Sequence, residues 1–507
     1  MMHRLLTPNE MAEADGLTIE SGRFSGYALM QRAGGAVAAV ILERFPTASH
    51  VDVLCGPGNN GGDGYVIASL LGQSGVDVRL WRSQAPKAGT DAALAADACT
   101  LPARQLGEFH AEPGTLVVDA LFGAGLSKPL EGDYARVVED VADAGVPVVA
   151  VDLPSGVSGE SGTVLGAAIK ADVTVTFFRK KPGHLLYPGR AFCGETIVAD
   201  IGIAADVLET IGPSCFEDAP DLWIGEFPVP DLDSHKYLRG HVGVFSGGPA
   251  STGAARLSAM AAARAGAGAV TVLSPANALA VNAMHLTSTI LRKTDSLEDV
   301  QEFLAERKPR SLVFGPGLGT HNKVGDFGLQ MIAGAAGIVK GIVCDADAIT
   351  VFSRIAEEFF AAARIDCAPA IVITPHEGEF ARLFPDLTAG EIPSKVERAR
   401  AAAKRANATI VYKGPDTVIA APDGRAAING NGTPLLATAG SGDILSGIIA
   451  ALLAQKMPAF EAASAAVWLH AEAARRFGPG LIAEDLPLAL LPVLRDLFGR
   501  KNRAGVF

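Results

Sequence analysis

What most constrains this chain is a pattern that recurs along it. A short apolar run ends abruptly in glycine, asparagine or aspartate, and a stretch with helical spacing follows. V-D-V-L-C (51–55) runs into G-P-G-N-N-G-G-D-G and then an apolar-faced stretch from Tyr65. Much later, H-V-G-V-F-S-G-G (241–248) is followed by A-A-R-L-S-A-M-A-A-A-R-A, and S-L-V-F (311–314) by G-P-G-L-G. Buried strands separated by helices form parallel sheets covered on both faces, and ligands sit beyond their carboxyl ends. The expected fold class is therefore α/β. At 507 residues the chain exceeds what one core can organise. Strands are expected near 51–55, 76–81, 115–120, 147–151, 171–177 and 195–201, and a second set begins at 241. This predicts a Rossmann-like, doubly wound domain over 1–214 and a second α/β domain over 236–507. Residues 215–235, rich in proline and aspartate, read as the connection, with Trp223 and Phe227 packing onto one domain rather than leaving a free tether.

Charge narrows the partners. A formal net charge of -12 argues against nucleic acid or an anionic membrane as the main partner. Six cysteines stand without C-x-x-C spacing, mostly in or after apolar runs, which reads as buried thiols in a reducing compartment. The N-terminus has no secretory apolar core, and Gly, Asp and Lys interrupt the long apolar stretches. No membrane span is expected, and the cytoplasm is the expected location.

The candidate chemistry sits in the loops. Gly440, Ser441 and Gly442 lead into Asp443 and an apolar helical run. Free N–H groups and the positive end of a helix suit a phosphate there, and the carboxylate beside them suggests a base or a metal ligand. The same residues also suit an acidic cap on a buried helix. Asn60, Asp119 and Ser155 come from three strand ends and offer only oxygen, which suits a hard cation. Asp152 adds a possible acid–base carboxylate. G-P-G-N-N-G has the G-x-G-x-x-G spacing, but the next strand ends R-L-W-R without the acidic ribose ligand, so the dinucleotide fingerprint is half met. In the second half, G-P-G-L-G (315–319), His376 and Lys413 all follow strand-like runs, and Glu377 and Glu379 suit a helix start. No G-x-x-x-x-G-K-[ST] sequence occurs.

C-G-P-G-N-N-G-G-D-G (55–64), D-A-L-F-G-A-G-L (119–126) and V-D-L-P-S-G (151–156) resemble the epimerase domain of the NAD(P)H-hydrate repair enzymes. The resemblance implies interconversion of the R and S forms of the 6-hydroxylated cofactor, with Asp119 moving the proton. It implies a potassium ion held by Asn60, Asp119 and Ser155. The dinucleotide would contact Asn59, Asn60, Gly61, Gly62, Asp63, Asp152 and the loop Gly123, Ala124, Gly125, Leu126, Ser127, Lys128 and Pro129.

G-G-x-x-x-T-G-A-A (247–255), G-P-G-L-G, C-D-A-D-A, T-P-H-E-G-E, Y-K-G-P-D-T and A-G-S-G-D resemble the ADP-dependent hydrate dehydratase domain, which is ribokinase-like. Ala439 stands where the family often has glycine, and Glu377 where proline is common; both are small departures. The resemblance implies that Lys413, Gly414, Pro415, Asp416, Thr417 and Gly442 hold an adenine nucleotide. Ala254, Gly317, Leu318, His376 and Asp443 would face the hydrate. ADP as co-substrate and a homo-oligomer are implied likewise, and magnesium is expected from phosphoryl transfer. The rival expectations are a ribokinase-like small-molecule kinase fused to a sugar- or nucleotide-binding domain, and a non-catalytic scaffold.

Overall fold

The computed structural model describes residues 3–503 apart from 49, 231–234, 237, 389 and 391. It divides into two compact units, Met1–Cys215 and Phe216–Phe507.

In the first unit seven strands form one sheet: β1 His50–Cys55, β2 Val78–Arg82, β3 Ala103–Gln105, β4 Thr115–Ala120, β5 Val148–Val151, β6 Val173–Phe177 and β7 Glu195–Ala199. Their spatial order is β3-β2-β1-β4-β5-β6-β7, and every pairing is parallel. The order reverses between β1 and β4, so their carboxyl ends diverge there. Both faces of the sheet are apolar. Val51, Val53 and Cys55 pack into one cluster and Leu54 into another. Asp52, in the middle of β1, is fully buried but satisfied by Arg79 at 2.7 and 2.8 Å and by the Trp81 indole at 2.7 Å. The helix Asn59–Gln73 lies tight against β1 and β4: a Cβ on Gly64 would sit 2.7 Å from the Cys55 sulfur and 2.8 Å from the Ala120 methyl. Strand β3 escaped the sequence reading because it is short, lies at the edge and carries no apolar run.

The second sheet begins at the unit boundary with β8 Cys215–Asp218 and continues with β9 His241–Phe245, β10 Ala269–Ser274, β11 Ile290–Lys293, β12 Ser311–Phe314, β13 Gly341–Cys344, β14 Ala370–Ile373, β15 Thr409–Tyr412, β16 Val418–Ala420 and β17 Ala426–Asn429. They run in the order β8-β17-β16-β15-β14-β13-β12-β9-β10-β11. Strands β9 to β15 pair in parallel, whereas β16 and β17 extend the sheet antiparallel. Here the order reverses between β9 and β12, which carry the two glycine loops.

The helix Ser441–Ala454 is buried along almost its whole length. It meets the helix Gly253–Arg264 so closely that a Cβ on Gly447 would stand 2.2 Å from the Ser258 carbonyl oxygen. Much of the expected connection is regular structure. Cys215–Asp218 is a strand and Pro220–Trp223 a helical turn, and Trp223 and Phe227 are buried in the second unit's core, with Trp468 5.8 Å from the Trp223 ring. Among the described residues no helix is long and apolar enough to cross a membrane.

Candidate active sites

Beyond the diverging ends of β1 and β4 opens a cavity of about 790 Å³. Its polar wall holds Asn59, Asn60, Asp63, the loop from Gly123 to Pro129, and Asp152, all expected from sequence. Met11, Leu29, Met30 and Ala33 supply an apolar wall. Gly61 and Gly62 do not line the cavity. A Cβ on Gly61 would lie 1.9 Å from the Gly56 oxygen, and one on Gly62 would lie 2.6 Å from the Met30 side chain, so both are glycine because the helix start is packed from behind.

Asp119 and Ser155 lie under the cavity, fully buried and joined to each other. Asp119 accepts the Ser155 hydroxyl at 2.6 Å, the Ser155 N–H at 2.7 Å and the Leu121 N–H at 3.3 Å. Burial pushes the Asp119 carboxyl up to about 6, against the pull of those three donors. The Ser155 hydroxyl oxygen in turn accepts the Phe122 N–H at 2.9 Å. Nearby, the Asn60 side-chain nitrogen is buried without a hydrogen-bond partner. The two ends of an amide are interchangeable in assignment, so this position offers an oxygen equally well. Asn60, Asp119 and Ser155 each offer oxygen, the donor chemistry a hard cation takes.

The backbone of Asp152, and the residues Lys181, His184 and Asp15 in and around the cavity, were not anticipated from sequence. Asp152 adopts a left-handed backbone, φ +64, that a non-glycine residue rarely takes. Its carboxylate accepts the Lys181 ammonium at 2.5 Å, the Thr176 hydroxyl at 2.9 Å and the Ala124 N–H at 3.0 Å, the last holding the 123–129 loop in place. Burial works against its charge, but Lys181 prevails and holds the carboxyl down at about 2. Buried His184 accepts the Lys181 N–H at 3.0 Å, and burial followed by the Lys181 charge depresses it to about 4. Asp15, on the helix Pro8–Glu20, also lines the cavity, and burial lifts its carboxyl to about 6. The signal for Lys181 was present: F-F-R-K-K-P-G-H follows β6 as the other loops follow their strands.

In the second unit the glycine loops meet. A Cβ on Gly247 would lie 1.9 Å from the Gly317 oxygen, and one on Gly317, at φ +71, would lie 3.8 Å from the Ala254 methyl. Leu318 follows in the same turn, its N–H bonded to the Gly315 oxygen at 3.1 Å. Gly440, at φ +88, turns the chain into the helix Ser441–Ala454, with Asp443 half-buried in the first turn. Burial, and then the neighbouring Asp345 carboxylate, push Asp443 up to about 7 against the pull of Lys413. Asp345, just past β13, accepts the Lys413 ammonium at 3.0 Å and the Ser446 hydroxyl at 2.8 Å. A Cβ on Gly442 would be 3.6 Å from that ammonium nitrogen, so Lys413 stands beside the helix start as expected.

Gly414 and Thr417 close a turn, the Thr417 hydroxyl donating to the Gly414 oxygen at 2.9 Å. Pro415, between them, is exposed, and buried Asp416 is bonded to the Lys395 ammonium at 2.6 Å. His376 is an N-cap: its ring accepts the Gly378 N–H at 3.0 Å, while Glu379 accepts the His376 N–H at 2.9 Å. The His376 side chain remains 55% exposed and so open to a ligand. The sequence reading passed over Asp345 within C-D-A-D-A, and over buried His470, whose ring lies 3.1 Å from the Ser441 hydroxyl.

A protein of Coxiella burnetii with the name bifunctional NAD(P)H-hydrate repair enzyme Nnr is 34% identical over 94% of this chain and 96% of its own length. This chain belongs to that family. The Escherichia coli repair enzyme is 33% identical over 97% of this chain and 93% of its own. Two family models divide the sequence as the sheets do: the YjeF-related protein N-terminus matches residues 26–183, and NAD(P)H-hydrate dehydratase matches residues 242–490. A crystal structure of the ADP/ATP-dependent NAD(P)H-hydrate dehydratase of Bacillus subtilis, co-crystallised with ATP and Mg2+, is 26% identical and covers 55% of this chain and 98% of that one, with a TM-score of 0.48. By family membership and by the two matching models, this chain carries an epimerase half and a dehydratase half.

Proposed function

We propose that the first unit equilibrates R and S NAD(P)HX at the cavity above Asp119, and that the second spends ADP to return the S form to NAD(P)H, releasing AMP and phosphate. The observation that carries the reading is Asp443, raised to about 7 in the first turn of a buried helix and facing the loop beside Lys413. A carboxylate of that strength suits proton abstraction near neutral pH.

Hydroxide leaves poorly from C6 of the hydrated ring, and phosphate leaves well. Asp443 takes the hydroxyl proton as that oxygen attacks the terminal phosphorus of ADP, and the bond to AMP breaks. The Gly440 to Gly442 amides and Lys413 stabilise the charge on the transferring group. The ring-nitrogen electron pair then forms the C–N double bond as the C6–O bond breaks and phosphate departs. Loss of a ring proton restores the dihydropyridine. Lys413 to Thr417 and Gly442 hold the nucleotide, while Ala254, Gly317, Leu318 and His376 bound the hydrate's side of the site.

In the first unit Asp119 exchanges the proton. A potassium ion on Asn60, Asp119 and Ser155 would balance the buried carboxylate and orient the substrate's oxygens. Magnesium would arrive on the nucleotide's phosphates, which with water and at most one or two carboxylates suffice to hold it. A cytoplasmic homo-oligomer completes the proposal. Incubation with purified NADHX epimers, with and without ADP, tests it. Repair of both epimers only with ADP is the expected result. A stable phosphorylated product would establish a kinase instead, and no turnover at all a scaffold.

A further inference from the structure

We propose that Asp345 is a positioning residue of the dehydratase site, anchoring Lys413 and fixing the charge environment in which Asp443 works. This deepens the assignment of Asp443 as base and rests on it. Asp345 leaves β13 as a fully buried carboxylate, 2% exposed. It ties together three elements of the site: Lys413 at the end of β15 at 3.0 Å, Ser446 on the helix Ser441–Ala454 at 2.8 Å, and its neighbour's N–H, from Ala346, at 2.9 Å. The strand end itself is closely packed. Ala346 is left-handed, at φ +51, and a Cβ on Gly315 would lie 1.8 Å from the Asp345 carbonyl oxygen. A Cβ on Gly442 would be 3.7 Å from the Asp345 carboxylate, one residue from Asp443 in sequence.

A buried carboxylate under a phosphate-binding loop weakens anion binding unless it does something else. Two effects oppose each other here. Its negative charge makes Asp443 harder to ionise and thus a stronger base, while the lysine it holds draws Asp443 the other way. Other titratable groups around the helix start include Glu379, 3.9 Å from the Lys413 ammonium, and His470, beside Ser441. From the helix Gly253–Arg264, Ser258 donates to the Asp443 carbonyl at 2.8 Å. Burial keeps His470 neutral, depressed to about 4, so it does not compete.

The test is the pH profile of kcat for dehydration of the S epimer at saturating ADP, in the full-length enzyme. Asp345→Asn removes the repelling charge and frees Lys413, so the acid limb should move to lower pH by about half a unit or more. Lys413→Met leaves that charge unopposed, and the limb should move up. Ser446→Ala deletes a hydrogen bond without altering charge and should leave the limb in place. Opposite shifts in the two charge variants, with none in Ser446→Ala, establish the role. An unmoved limb in folded Asp345→Asn overturns it. So does a shift in Ser446→Ala equal to that in Asp345→Asn. If Asp345→Asn does not fold, an unmoved or downward limb in Lys413→Met overturns the proposal by itself. Full activity in Asp443→Asn would instead remove the base assignment, a separate failure.

Discussion

Replacing Lys181 by methionine preserves most of the side chain's bulk and deletes its charge, leaving the Asp152 carboxylate buried without its cation. The pair is 2.5 Å long, with side-chain exposures of 2% for Lys181 and 17% for Asp152. Asp152 titrates at about 2 against an ordinary 3.8. At about 1.36 kcal/mol per unit, the depression is worth roughly 2 kcal/mol. Breaking one partner of a buried pair costs about 3–5 kcal/mol. A loss of about 2–4 kcal/mol at pH 8 is expected, or roughly 30- to 1000-fold in an opening equilibrium. The sign of the pH dependence follows. In the native protein a depressed carboxyl stabilises above pH 3.8 and loses that contribution as pH falls through 2. In Lys181→Met, burial is no longer overcome, the carboxyl rises above its ordinary value, and the penalty shrinks as pH falls and the group takes up a proton. Hydrogen exchange of the peptide spanning β5, corrected for intrinsic rates, reads the first unit separately. Exchange should accelerate at pH 8, and the gap should narrow toward pH 5. Equal protection at pH 8, or a gap independent of pH, would refute the reasoning.

Epimerisation should depend on potassium, and Ser155→Ala should weaken that dependence; equal rates in potassium and lithium would exclude the cation site. Gly440→Ala forces a side chain onto φ +88 and puts its Cβ 2.7 Å from Leu257, so dehydration should fall about tenfold while epimerisation persists. Light scattering should give a mass above the 52.2 kDa of one chain, and a monomer across micromolar concentrations would contradict the proposed assembly.

Much of this architecture was legible because apolar runs such as V-D-V-L-C and S-L-V-F end abruptly in glycine loops, and both sheets reverse order where those loops lie. The antiparallel strands V-I-A and A-A-I-N are too short to show a period. Cys215–Asp218 is charged and follows a proline, so it read as a connection although it extends the second sheet. Candidate residues stand out in the sequence where a motif isolates them, as with Asp119, Ser155 and Asp443. Lys181 stands among neighbouring basic residues in R-K-K, and only the packing after β6 turns it inward. Spacing also cannot tell a glycine that lines a cavity from one packed against its surroundings: Gly58 lines the cavity, whereas Gly61 abuts the Gly56 oxygen and Gly62 the Met30 side chain.

The central claim is that two independent sites divide the repair. It is tested most directly by following both NADHX epimers chromatographically with ADP present, in Asp443→Asn and in Asp119→Asn. Asp443→Asn should slow dehydration by about 10² or more while the epimers still equilibrate. Asp119→Asn should consume the S epimer at the normal rate and leave the R epimer to its spontaneous conversion, giving a fast phase and then a slow one. Loss of both activities in either folded variant would contradict the division of labour.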